Sequence, residues 1–293
     1  MSTVATRISI PFPQGGDVTP ELVGILEQAE ASTDRRGAPL ALILHGSLAH
    51  KNQSYHKSLA RKLAARGLDS YRPDFRANGE TKGVWNMSNF EEDLVDLDVI
   101  VPYLQKTYGY VVKMVVGHSR GGVVSLRYIT KKDPSIPLLV EISGRIRMDL
   151  VWDLLPLYKD GFDKDGVHVR SLRVAGQQVS VEIRPEDMHT FAAIPTRYVE
   201  TEFPEKTHVL IVHGTSDEVV PVEDGKIYSE VLNKRTNGKC SLALIEGANH
   251  NFHGQTEAVV DAIMHWLDGP AQQAARAVGL SPAADQPAPS ARL

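Results

Sequence analysis

"VKMVVGHSRGGVVSLRYITKK", residues 112–132, decides how the rest of the chain is read. An apolar run ends at Gly117, a single serine follows between two glycines, and the apolar character returns beyond Gly122 with a different spacing. Residues 112–119 read as a buried strand and residues 121–132 as an amphipathic helix. Ser119 therefore falls in the sharp turn between them. A residue there is held in a strained backbone conformation with its side chain projecting. Bulky neighbours two positions away would strike the adjoining strand and helix, hence Gly117 and Gly121. The pattern G-x-S-x-G in a strand–turn–helix context is that of an exposed nucleophile. The competing reading is a glycine-rich turn whose serine only caps a helix.

Outward from this turn, short apolar runs alternate with amphipathic stretches. Strands are expected at 7–12, 22–27, 40–46, 69–75, 112–119, 137–143, 207–214 and 240–247. Helices are expected at 55–67, 89–109, 121–132, 223–233 and 256–269. Asn89 or Ser88 is placed to cap the long second helix, whose first turn is acidic as its dipole favours, and Pro102 is expected to kink it. Continuous apolar strands alternating with helices imply an α/β fold with a mostly parallel sheet covered on both faces.

Residues 145–206 break this rhythm. Residues 167–185 alternate around Ala175 and Gly176 and read as a β-hairpin, and residues 188–203 read as helical. The expected organisation is a core of residues 1–144 and 207–280, a cap or lid over 145–206, and a Pro/Ala-rich disordered tail over 281–293.

Composition narrows the function classes. The 293 residues are 42% hydrophobic and 23% charged, with a net charge of −4. This is an ordinary globular balance without the basic excess of a nucleic-acid binder. A lone cysteine, Cys240, allows no internal disulfide and suits a reducing compartment. No apolar run reaches the roughly 20 residues of a membrane span. The first residues lack a signal-peptide pattern, so a cytoplasmic location is the expectation. The sequons at Asn52 and Asn86 are then chance matches.

A serine hydroxyl needs a base to become a nucleophile, and the base needs an acid to hold its tautomer. "HVLIVHGTSDEVVP" puts Asp217 just past a strand, and "LALIEGANHNF" puts His250 just past the next. The order Ser, Asp, His, each on a loop after a strand, fits the chemistry. Of the eleven histidines, His253 is the rival base but lies further from its strand. His45 and His213 precede glycines at strand ends and are expected to pack there. Glu218 and Asp224 are rival acids, read as a solvated loop charge and a helix start. No His/Cys cluster has metal spacing, so no metal is expected.

A tetrahedral intermediate needs two backbone N–H donors. Arg120 follows the nucleophile and supplies one; Ser47, in "LILHGSLAH", is placed for the other, with Leu48 as the alternative. Leu48, His118, Trp152, Leu155 and Tyr158 are expected to line a substrate pocket. Trp152, Leu154, Leu155, Leu157 and Tyr158 suit an acyl or aryl group, with packing of the cap onto the sheet as the equal alternative. Arg145, Arg147, Lys159 and Lys164 are read as a solvated basic face.

The motifs at 45–47 (HGS), 74–81 (DFRANGET), 117–122 (GHSRGG), 213–221 (HGTSDEVVP) and 247–252 (GANHNF) together resemble the α/β-hydrolase superfamily over about residues 7–270. The narrower likeness is to serine esterases such as the cinnamoyl and feruloyl esterases and the monoacylglycerol-lipase-like enzymes. The resemblance implies an α/β-hydrolase fold with a mostly parallel eight-stranded sheet and no cofactor. It also implies a Ser119–His250–Asp217 triad at the carboxyl ends of the strands, under a cap that shapes the acyl or alcohol pocket. One departure is Ala77, where relatives typically carry the first glycine of Arg-Gly-x-Gly; it does not touch the triad.

The expected activity is carboxylic ester hydrolysis through an acyl-enzyme. Thioester or amide hydrolysis by the same triad, or a binding protein that holds a ligand without turnover, are the alternatives. The expected partner is a small-molecule ester, with no nucleic acid; no oligomeric state is legible.

Overall fold

The computed structural model describes residues 3–13, 16–237 and 239–282. Most of the expected tail, from residue 283 onward, lies outside the described residues. In chain order the elements are β1 (Val4–Pro11), β2 (Glu21–Gln28), β3 (Pro39–Leu44), α1 (His56–Ala64), β4 (Asp69–Pro73), α2 (Phe90–Tyr108), β5 (Val111–His118), α3 (Arg120–Lys131) and β6 (Leu138–Ile142). A 3-10 turn (Met148–Leu154), α4 (Leu155–Asp165), β7 (His168–Val174), β8 (Gln177–Ile183), α5 (Pro185–Ala192) and a second 3-10 turn (Arg197–Glu200) follow. The chain closes with β9 (His208–Gly214), α6 (Val222–Leu232), β10 (Cys240–Ile245), α7 (Thr256–Asp268) and α8 (Gln272–Ala277).

Eight strands form one sheet in the order β1-β2-β4-β3-β5-β6-β9-β10. β2 runs antiparallel to both β1 and β4, and every other pair is parallel. This is the architecture that the resemblance implies. The alternation of apolar side chains along β5 explains the two covered faces. Val115 points into a layer shared with α2, α3 and α6, and Val112 joins it because the strand register shifts at Lys113. Met114 and Val116 point into a layer shared with α1, α7 and α8. The Asn89 side chain accepts from the Glu92 N–H and caps α2, which continues through Pro102 to Tyr108.

Residues 145–206 stand outside the sheet. β7 and β8 pair only with each other, and the turn between them places Ala175 at φ 50° and Gly176 at φ 82°. Two successive positive φ values suit a tight hairpin, and glycine takes one of them without strain. The helix expected over 188–203 is corrected. α5 begins earlier, at Pro185, and ends at Ala192. Pro195 disfavours helical geometry for Ile194 before it and removes a backbone donor, so the chain resumes only as the short turn at 197–200. α4 was not anticipated, since it buries only Tyr158 and leaves Leu157 67% exposed. Among the described residues, no helix is long and apolar enough to cross a membrane.

Candidate active site

Parallel strands deliver the loops at their carboxyl ends to one edge of the sheet, and the expected site residues meet there. Ser119 follows β5 at φ 55° and ψ −118°. Its N–H is tied to the Ile142 carbonyl at 2.7 Å, which fixes the turn to the neighbouring strand. A Cβ on Gly117 would stand 2.2 Å from the Gly121 oxygen, and one on Gly121 would stand 2.6 Å from the Leu44 and His45 oxygens. The two glycines are therefore demanded by strand–helix contact.

The hydroxyl of Ser119 lies 3.0 Å from Nε2 of His250, and Nδ1 of His250 lies 2.8 Å from Oδ2 of Asp217. An ionised carboxylate only accepts, so Nδ1 carries the proton and Nε2 is free to accept from Ser119. Oδ1 of Asp217 accepts from the N–H groups of Val219 (2.9 Å) and Val220 (2.8 Å). Burial alone would raise the Asp217 carboxyl, but His213 and His250 hold it well below the usual carboxylate range. The sequence gives no hint that His213 takes part in this contact. Its Nε2 lies 2.9 Å from the Val220 carbonyl and 3.4 Å from Asp217, so it packs as expected and also flanks the acid.

The rivals take other roles. His45 is buried, donating from Nδ1 to the Gly46 carbonyl and accepting at Nε2 from the Phe75 N–H. His253 is exposed and pairs with Asn249. Asp224 is buried at the start of α6, where it accepts from the Ile146 N–H and pairs with Arg147. Glu218 is exposed on its loop, and its carboxylate lies 3.4 Å from the His250 backbone N–H. His118 is buried beside His250, with Nε2 2.9 Å from the His250 carbonyl. Desolvation pushes its pKa down to about 3, so it stays neutral and supports the loop that carries His250.

Ser47 and Arg120 both line the cavity above Ser119. Among the described residues neither backbone N–H donates to another protein group, as an anion site requires. Leu48 sits at φ 51° in the same loop. The Arg120 guanidinium turns away from the cavity. It pairs with Asp93 and donates to the carbonyls of Asn86, Met87 and Asn89, pinning the loop before α2.

The cavity encloses about 320 Å³. Leu48, His118 and Tyr158 line it as expected, but Trp152 and Leu155 do not. Both pack within the cap cluster, where the Trp152 ring meets His189 edge-on at 4.7 Å. Leu154, one of the apolar residues expected to suit an acyl or aryl group, does line the cavity, joined by Met148 and Val151 and by Trp85 and Met87 from the loop between β4 and α2. That loop leaves the sheet at the same carboxyl edge, and its apolar "VWNM" was the available signal. Glu141, in β6, was also missed. It is fully buried with no hydrogen-bond partner for either oxygen among the described residues. Burial pushes its carboxyl up to about 8. Among the described residues, no group of three or more His, Cys, Asp or Glu side chains could hold a metal ion.

Residues 38–161 match the family described as serine aminopeptidase, S33. Residues 169–273 match the prolyl oligopeptidase family. An uncharacterised protein of Saccharomyces cerevisiae, YDL057W, is 28% identical, over 73% of this chain and 69% of its own. Among solved structures, Est1E from Butyrivibrio proteoclasticus with bound ferulic acid superposes with a TM-score of 0.62 at 20% identity, covering 84% of this chain and 94% of its own. The Pyrococcus furiosus esterase PF2001 gives a TM-score of 0.63 at 18% identity, covering 90% of each chain.

Proposed function

We propose that this chain, an α/β-hydrolase by fold and by its family matches, hydrolyses carboxylic esters through an acyl-enzyme on Ser119. The observation that carries the reading is the continuous path Ser119–His250–Asp217, with spacings of 3.0 and 2.8 Å. His250 Nε2 takes the hydroxyl proton as Oγ attacks the ester carbonyl. The oxyanion is held by the N–H groups of Ser47 and Arg120. The tetrahedral intermediate collapses, and His250 returns the proton to the departing alcohol. Water then gives a proton to His250, attacks the acyl carbon, and releases the carboxylic acid with Ser119 restored.

The family matches raise a second reading, an aminopeptidase using the same three residues. An aminopeptidase would hold the ammonium of a peptide's first residue, most directly with a carboxylate. Among the described residues no Asp or Glu lines the cavity, and its walls are mostly apolar. This favours an ester of an apolar acid or alcohol.

The test is hydrolysis of p-nitrophenyl esters from acetate to palmitate, with Ser119→Ala as control and fluorophosphonate labelling in parallel. The expected result is turnover that falls by a factor on the order of 10⁴–10⁶ in the variant. Turnover unchanged in Ser119→Ala would overturn the assignment. Labelling of Ser119 without ester turnover would shift it to an amidase or thioesterase. Neither labelling nor turnover would leave a binding protein.

A further inference from the structure

Among the described residues, the cavity over Ser119 is lined by three arginines and by no acidic residue. Arg120 is fully engaged with Asp93 and three carbonyls. Arg145 is not. It lies three residues beyond β6, and its backbone is fixed by the Tyr228 hydroxyl, which donates to its carbonyl at 3.0 Å. Its side chain donates to the Val219 carbonyl, and the residue is only 9% exposed. Among the described residues no carboxylate lies within salt-bridge distance of it. Of the acids close enough to act on it electrostatically, Asp217 is committed to the histidines, Asp224 to Arg147, and Asp153 stands exposed beyond salt-bridge distance. Among the described residues the remaining N–H groups of Arg145 have no protein acceptor, yet they are not sealed away. Arg145 lines the cavity, which is the space these groups have to open into. Arg170, on β7, lines the same cavity and is likewise unpaired with any carboxylate among the described residues.

A guanidinium nine-tenths buried without a counter-ion is costly, and burial depresses its pKa here. Arg147, Lys159 and Lys164, which the sequence groups with it, follow the ordinary pattern of exposed or paired cations. Arg147 pairs with Asp224, Lys159 with Asp163, and Lys164 is exposed. Arg145 alone faces an apolar chamber of Met148, Val151, Leu154 and Phe191 with donors to spare.

The geometry points to Arg145, aided by Arg170, as the recognition site for a carboxylate on the substrate, so that the ester cleaved at Ser119 has an apolar body ending in a negative charge. This rests on the ester-hydrolase reading. A planar guanidinium with one edge free matches a carboxylate in two parallel hydrogen bonds. A singly charged group also suits the apolar walls better than a dianionic phosphate.

The test pairs monomethyl esters of dicarboxylic acids of four to eight carbons with methyl esters of monocarboxylic acids of the same length. The wild-type kcat/KM is expected to favour the acid-bearing member at least ten-fold at one length. Arg145→Met should reduce that ratio at least ten-fold, chiefly through KM, and Arg145→Lys should restore part of it. The ratio is independent of the fraction of folded protein, so a simple loss of structure does not imitate the effect. A wild-type ratio near one, or a ratio unmoved by Arg145→Met, would show that Arg145 only clamps Val219. Preference for the same body ending in a phosphate would overturn the carboxylate assignment. If no ester turns over, calorimetric titration of Ser119→Ala with the same monoesters decides the matter. Binding that Arg145→Met abolishes sustains the inference while the hydrolase reading fails, and absence of binding overturns the inference itself.

Discussion

At the scale of single residues, strain and desolvation are concentrated at and behind Ser119. Ser119 holds φ 55° and ψ −118°, a conformation that costs a side-chain-bearing residue about 1–3 kcal/mol. Glycine adopts it freely but loses more entropy on folding, by about 0.5–1 kcal/mol. Ser119→Gly should therefore be more stable than Ser119→Ala by about 1 kcal/mol in urea unfolding, the reverse of the usual order, although both should be inactive. Equal stability would mean that the turn is not strained. Glu141 gives the second prediction. Its carboxyl rises from 4.5 to about 8 on burial. Between those values the folded chain keeps a proton that the unfolded chain releases. The stability from this residue is complete below about pH 4.5 and is lost as pH rises to about 8. Glu141→Gln, which cannot ionise, should remove this decline and gain on the order of a few kcal/mol over wild type at pH 8 relative to pH 5. Identical pH profiles for the two proteins would show that Glu141 ionises freely.

At the scale of elements, residues 145–206 are tied to the rest of the chain by a set of polar contacts, and Asp224 makes the most buried of them. It accepts from the Ile146 N–H at 3.0 Å and the Arg147 N–H at 3.3 Å, and pairs with the Arg147 side chain. Asp224→Ala would leave these donors at the cap's entry unpartnered, so a loss of about 2–4 kcal/mol is expected in chemical denaturation. Glu223→Ala, one residue away and exposed, should stay within about 0.5 kcal/mol. Equal effects would remove Asp224 as a tether. The legibility of the sequence divides along the same line. Strands β3, β5, β6 and β9 were readable because burial on both faces forces an unbroken apolar run, and "GHSRG" and "GANH" because the chemistry restricts each position. α4 and the break at Pro195 were not, since cap helices bury one or two side chains and leave no strong period. Trp152 and Leu155 read as pocket residues because composition does not say which way a side chain points. Trp85 and Met87 belong to a loop whose placement depends on the whole sheet. Arg145 read as surface charge because nothing in its neighbours along the chain reveals the chamber it faces.

At the scale of the whole molecule, the two apolar layers of the sheet and the cap differ in how much they bury. β5 and β6 are enclosed on both sides by strands and helices, with Val115, Val116, Leu138, Leu139 and Val140 almost wholly removed from water. The hairpin of β7 and β8 pairs with no other strand, and only Val174, Val181 and Ile183 among its side chains are buried. Its hydrogen bonds are shielded by one small cluster built on Val151, Tyr158 and Met188. Opening it exposes little apolar surface, whereas opening β5 requires the whole core to come apart. Native-state hydrogen exchange should therefore give the β7–β8 amides an opening free energy several kcal/mol below that of β5 and β6, with a weak denaturant dependence reflecting the small area exposed. Met188→Ala should lower the hairpin value further and raise KM for the preferred ester while barely moving the β5 amides. Leu97→Ala, in the core layer under α2, should cost about 2–5 kcal/mol and lower all amides together. If hairpin and sheet exchange with one free energy and one denaturant slope, the cap is part of a single cooperative unit. Substrate would then enter by some route other than its local opening.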